Sequence, residues 1–116
     1  MLDKEYVLYL MYDRPTQPIR NEDKDHIHPR SILEKRREDP QKIESAGNIQ
    51  FLDIKTNRKM KRAKEFGDWI KGVKDEGKFI KRHLIPEDRS LWYSKRFDDF
   101  LEARIRKIIA KIKSGL

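Results

Sequence analysis

The sequence predicts an α+β fold that is mostly helical, with a small finger, ordered strand, loop, strand, helix, embedded among packed helices. Three observations carry this prediction. Apolar residues recur at helical intervals at Phe66, Trp69, Ile70 and Val73, and again at Phe97, Phe100, Leu101, Ile105, Ile108, Ile109 and Ile112. Between them and the N-terminus lie two strand-like stretches, one ending at His26 to His28 before Pro29, which has no N–H to pair, and one over Asn48 to Leu52. Finally, a chain of 116 residues holds one domain with one modest core, burying roughly 65% of the surface its unfolded form exposes.

The elements follow in order. Tyr6-Val7-Leu8-Tyr9-Leu10-Met11-Tyr12 is apolar on every side, as a buried helix is, while Tyr and Val leave a strand open. A small core cannot hide that surface all round, so part of this helix is expected to pack on an upstream domain or on a second copy of the chain. Asp13 to Asp23, with Pro15 and Pro18, reads as a connecting loop. Ser31 with Glu34 forms a capping-box pattern for a helix over Ile32 to Glu38, ending before Pro40, and Asp39 to Ala46 reads as a loop. Asp53 is placed to cap a helix whose first turns carry Asn57. The helix through Phe66 and Val73 is weakened at its end by Gly72 and Gly77, Lys78 to Arg82 adds a turn, and Pro86 to Ser90 is a linker. The last helix has Ser94 as its candidate cap and Gly115 just past its end. Residues 1–22 are thus an N-terminal helix and linker; residues 23–116 form the domain, with the finger over about 23–62 and helices over 63–116.

Composition narrows the function. Lys and Arg number 28 against 20 Asp and Glu, a net charge of +8, so a polyanion is the natural partner, with a solvated lysine-rich surface as the plain alternative. The absence of cysteine fits a reducing cytoplasm and excludes a Cys-ligated zinc site. No apolar run approaches about 20 residues and no signal segment is present, so neither a membrane nor secretion is expected. There is no nucleotide-binding glycine loop.

The chemistry-bearing residues cluster around the finger. Asp25-His26 places a hard oxygen ligand beside an imidazole at the end of the first strand, Asn48 opens the second strand, and Asn57 follows nine positions on. This order resembles the HNH nucleases, also called His-Me finger or ββα-metal nucleases. More of the chain is similar to the C-terminal nuclease domain of GmrSD-type modification-dependent restriction proteins: Gly47-Asn48-Ile49-Gln50-Phe51-Leu52, Asn57-Arg58-Lys59, Phe66-Gly67-Asp68-Trp69-Ile70, and the tail stretches His83-Leu84-Ile85-Pro86 and Phe97 to Arg104.

The resemblance implies a ββα-metal finger that hydrolyses DNA, the cutting part of a restriction system, normally preceded by a nucleotide-dependent domain. Asp25 and Asn57 then hold one divalent ion, His26 deprotonates the attacking water, and Asn48 holds the imidazole and the loop by hydrogen bonds. Many HNH domains end their motif in a His ligand. Asn57 stands there in this chain, and a neutral amide argues for Mg²⁺ or Mn²⁺ over Zn²⁺ or Ni²⁺. Arg30, Arg58, Lys59, Lys61 and Arg62 flank the motif as candidate phosphate contacts, with solvated charge as the alternative. His28 is a candidate supporting or phosphate-contacting group, against the plainer reading of a partly exposed packing histidine. Phe66 and Trp69 have the spacing of core residues, and Arg104 and Arg106 are left on the surface. The competing reading is a basic nucleic-acid-binding module that no longer cuts.

Overall fold

The computed structural model describes residues 4–12, 22–53 and 63–115. These residues are mostly helical, with one two-stranded antiparallel sheet. None of the described helices is long and apolar enough to cross a membrane.

Helix α1 (Lys4–Met11) settles the helix or strand alternative. It buries Leu8 and Met11 against Ile49, Phe51 and Ile108. The expected interface with another chain therefore does not run through Leu8 and Met11, because the chain's own core covers them. Tyr6 stays 46% exposed.

Strand β1 (Glu22–His26) pairs antiparallel with β2 (Ile49–Asp53), in a register that sets Asp25 opposite Gln50 and His26 opposite Ile49. The sequence of β1 is almost wholly charged and poor in β-formers; it is held by the ladder to its apolar partner, as charged edge strands often are. In β2 the period of two sends Ile49 and Phe51 to α1 and Leu52 to the other side, against Phe66, Trp69 and Trp92.

Between the strands, α2 (Arg30–Lys35) starts two residues earlier than the capping-box reading places it. Pro29 is the cap residue, its carbonyl accepting from Leu33 N, so Ser31 falls inside the helix and caps nothing. The helix stops at a left-handed Arg37 (φ 59°), where Glu38 N reaches back to Leu33 O and Arg37 N to Glu34 O, a Schellman end. The expected loop from Asp39 to Ala46 contains α3 (Pro40–Ile43), capped by Asp39 accepting from Gln41 N at 2.8 Å. A 3-10 turn, Ala46–Asn48, follows. Asn48 thus belongs to that turn and not to the strand. Elements this short carry no readable periodicity.

The predicted helix through Val73 is divided. Helix α4 (Phe66–Trp69) passes into a 3-10 turn, Ile70–Gly72, and Val73 is extended. A separate helix α5 (Glu76–Arg82) begins under an Asp75 cap, with Gly77 in its first turn. Phe66 and Trp69 are buried, as their spacing predicts.

Helix α6 (Phe97–Gly115) includes Gly115 rather than ending before it. Ser94 lies in a preceding 3-10 turn, where its N and Oγ donate to the Glu65 carboxylate at 2.7 and 2.6 Å, so it is not the cap. The helix crosses all three parts of the core through Phe100, Ile108, and the pair Phe97 and Leu101. Ile105 and Ile109 of the predicted stripe remain 38% and 47% exposed. The centre of the buried face is taken instead by Arg104, which is 0% exposed; the expectation that it lies on the surface is overturned. Arg106 is on the surface, paired with Glu102.

Candidate functional site

The end of β1 gathers the site. Consecutive strand residues face opposite ways, so Asp25 and His26 project from opposite faces of the sheet. Asp25 is 8% exposed and accepts from Gln50 Nε2 at 2.8 Å, across the register pair. Gln50 is fully buried, and its Oε1 has no hydrogen-bond partner among the described residues. His26 lies on the α1 face, a quarter exposed, with its Nε2 3.1 Å from Glu44 Oε1. Glu44 also meets Lys4 of α1, which donates to its main-chain oxygen at 3.1 Å and stands 3.9 Å from its carboxylate.

Asn48 works on the main chain. Its Oδ1 accepts from His28 N at 2.9 Å, and its Nδ2 donates to His28 O and Ile43 O at 3.2 and 3.1 Å. It therefore ties the chain at His28 to the chain at Ile43, and it reaches the His26 imidazole only indirectly, by fixing Ile43 and thus the neighbouring Glu44. Full burial makes this arrangement stiff, since each of these polar groups costs about 1–3 kcal/mol if left unmet.

His28 is neither partly exposed nor placed to touch phosphate. It is 0% exposed, its Nε2 sits 2.9 Å from Leu91 O, and its ring packs edge-on against Phe100 at 4.4 Å. Because the strand has already ended at His26, His28 does not share its face. It anchors the Arg89–Trp92 turn to the chain just after β1. Arg30 opens α2 on the surface, with its Nε 3.4 Å from Glu34. Asn57, Arg58, Lys59, Lys61 and Arg62 lie outside the described residues, as does the helix expected after Asp53.

Beneath the site, Arg104 ties three segments together. Its Nη1 donates to Ala46 O and Ile49 O at 3.0 and 2.7 Å, on either side of Asn48, while Nε and Nη2 donate to His83 O at 3.2 and 3.1 Å. Burial lowers its pKa to about 10, against an opposing effect of Tyr12, so it remains a cation at neutral pH. Tyr12 oxygen accepts from Phe51 N at 3.2 Å and lies 2.5 Å from His83 Nδ1.

Burial pushes the His83 imidazole down to about 3, helped by the positive charges of Arg104 and Arg82. A neutral His83 accepting the Tyr12 proton at Nδ1 satisfies both groups. The consequence for stability has a definite sign. The folded pKa is below the unfolded 6.5, so the unfolded chain binds the proton first; stability is whole above pH 6.5 and is lost as pH falls toward 3. At pH 4.5 the loss from this residue is about 3 kcal/mol. Urea unfolding at pH 7 and 4.5 of the parent and of His83→Asn measures it: the parent is expected to lose more stability over that interval than the variant.

For a cation, the oxygens nearest the strand end are the Asp25 carboxylate and the buried Gln50 Oε1, unmatched among the described residues, hard donors of the kind that suit Mg²⁺ or Mn²⁺. Among the described residues no group of three or more His, Cys, Asp or Glu side chains gathers. The sequence reading missed Gln50, Glu44 and Arg104. Two of them had a signal: Gln50 is a polar residue within an otherwise apolar strand, and Arg104 is a charged residue at a position of the apolar stripe of the last helix. Comparison with protein-family models, with curated proteins and with solved structures finds no match to this chain.

Proposed function

We propose that this chain is an HNH-type endonuclease domain, a ββα-metal finger that hydrolyses DNA phosphodiesters and serves as the cutting module of a defence system. The observation that carries the reading is the strand end: Asp25 and His26 close an antiparallel pair, and Asn48 braces the chain immediately beyond them. Asp25 and Asn57 would hold a divalent cation, with Gln50 supporting Asp25. When bound, the cation offsets charge on the phosphate and the leaving oxygen. His26 takes the proton from the attacking water.

Supercoiled plasmid incubated with the protein and Mg²⁺ or Mn²⁺ tests the reading. Nicked or linear product that a chelator abolishes is expected; binding without cleavage in either metal would favour the non-cutting module.

Arg30 with Arg58, Lys59, Lys61 and Arg62 holds backbone phosphates beside the motif. Binding is therefore expected to be largely indifferent to sequence, with log affinity falling by about 0.9 per phosphate neutralised for each decade of salt. A filter-binding series across salt concentrations checks this, and a flat series would contradict it.

A further inference from the structure

We infer that Glu44 is the positioning residue of His26: it fixes which imidazole nitrogen carries the proton. The inference rests on the nuclease reading only for its effect on rate. A carboxylate is an acceptor alone, so at 3.1 Å from Nε2 it requires the proton there and leaves the lone pair on Nδ1. Water activation needs such a lone pair held in one direction.

Glu44 is itself held in place from three sides. It is the residue after α3, with its N–H donating to Pro40 O. The preceding Ile43 carbonyl is gripped by the buried Asn48 amide, and Lys4 of α1 holds its main-chain oxygen. Glu44, from the loop between the strands, and His26, at the end of β1, thus meet through contacts that also fix Asn48. The charged groups facing this carboxylate are Lys4 and His26.

The test uses long-range imidazole ¹⁵N spectra at alkaline pH, together with plasmid cleavage, for the parent, Glu44→Gln, Glu44→Ala and Lys4→Met. Glu44 is exposed, so the variants should fold, and Gln keeps its shape. An amide both donates and accepts, so it no longer dictates the tautomer. The parent should show the Nε2–H form, Glu44→Gln and Glu44→Ala a mixture, and Lys4→Met the parent pattern. Turnover should fall roughly 10- to 100-fold in Glu44→Ala, with KM nearly unchanged. A parent tautomer retained in both Glu44 variants overturns the inference whatever the plasmid does. Absence of cleavage by the parent overturns the nuclease reading whatever the spectra show.

Discussion

Arg104→Ala is expected to cost the fold about 3–5 kcal/mol, a large part of the roughly 5–15 kcal/mol that holds a domain of this size. The guanidinium supplies donors to the carbonyls of His83, Ala46 and Ile49, all against the buried face of α6. Truncation removes the guanidinium from all three carbonyls, of which Ala46 O keeps the Ile49 N–H; an acceptor left unmet costs about 1–3 kcal/mol, and the lost side chain opens a cavity. Removing a desolvated cation returns part of this, so the costs do not simply add. Arg104→Lys should fall between Ala and the parent, because an ammonium keeps the charge but not the planar fork that spans three segments. Thermal melts check the ranking. A drop on the order of 10 °C or more is expected for Ala, against little change for Ile109→Ala on the exposed side of the same helix. Equal melting of the two variants would show that the buried guanidinium is not what ties these segments together.

His26→Ala is expected to slow cleavage by roughly 10²–10⁴-fold, the range for loss of a general base, while the fold and DNA binding persist. Its imidazole is partly exposed and its strand is held by main-chain pairing, so little packing is lost. Asp25→Ala should fail differently. It removes a carboxylate that the proposed function assigns to the cation, so excess Mn²⁺ should restore part of the activity there and none in His26→Ala. Because Asp25 also accepts from the buried Gln50 amide, its variant should melt lower than His26→Ala. The comparison is one plasmid cut by the three proteins across a metal titration, with melts alongside. Cleavage by His26→Ala at the parent rate removes His26 from the base role.

Local patterns decided a good part of the architecture. The period of 3.6 in Phe97, Phe100, Leu101 and Ile108 specified the long helix and its inward face, and the spacing of Phe66 and Trp69 specified core. Pro29 does not itself end β1, which stops three residues earlier at His26; its fixed backbone instead opens α2. The capping reading at Ser31 failed because Pro29 had already opened the helix, a choice between two adjacent local signals. Short elements such as α3 were illegible, since four residues make barely one turn and are held by their surroundings.

By itself, then, the sequence determined the mostly helical frame, the two strands, and the placing of Asp25, His26 and Asn48 near the ends of those strands. Tertiary structure alone decided what surrounds them. Arg104 falls on the apolar face of the last helix, three residues from Leu101 and four from Phe100 and Ile108, where spacing alone asks for an apolar side chain; a guanidinium is accommodated there because carbonyls 21, 55 and 58 positions away converge on it. Glu44 reaches His26 across 18 positions, and Gln50 reaches Asp25 across 25. The physical reason is one of range: periodicity and capping act within a turn or two of the chain, whereas a buried polar group is matched by whichever segments the packed core brings to it.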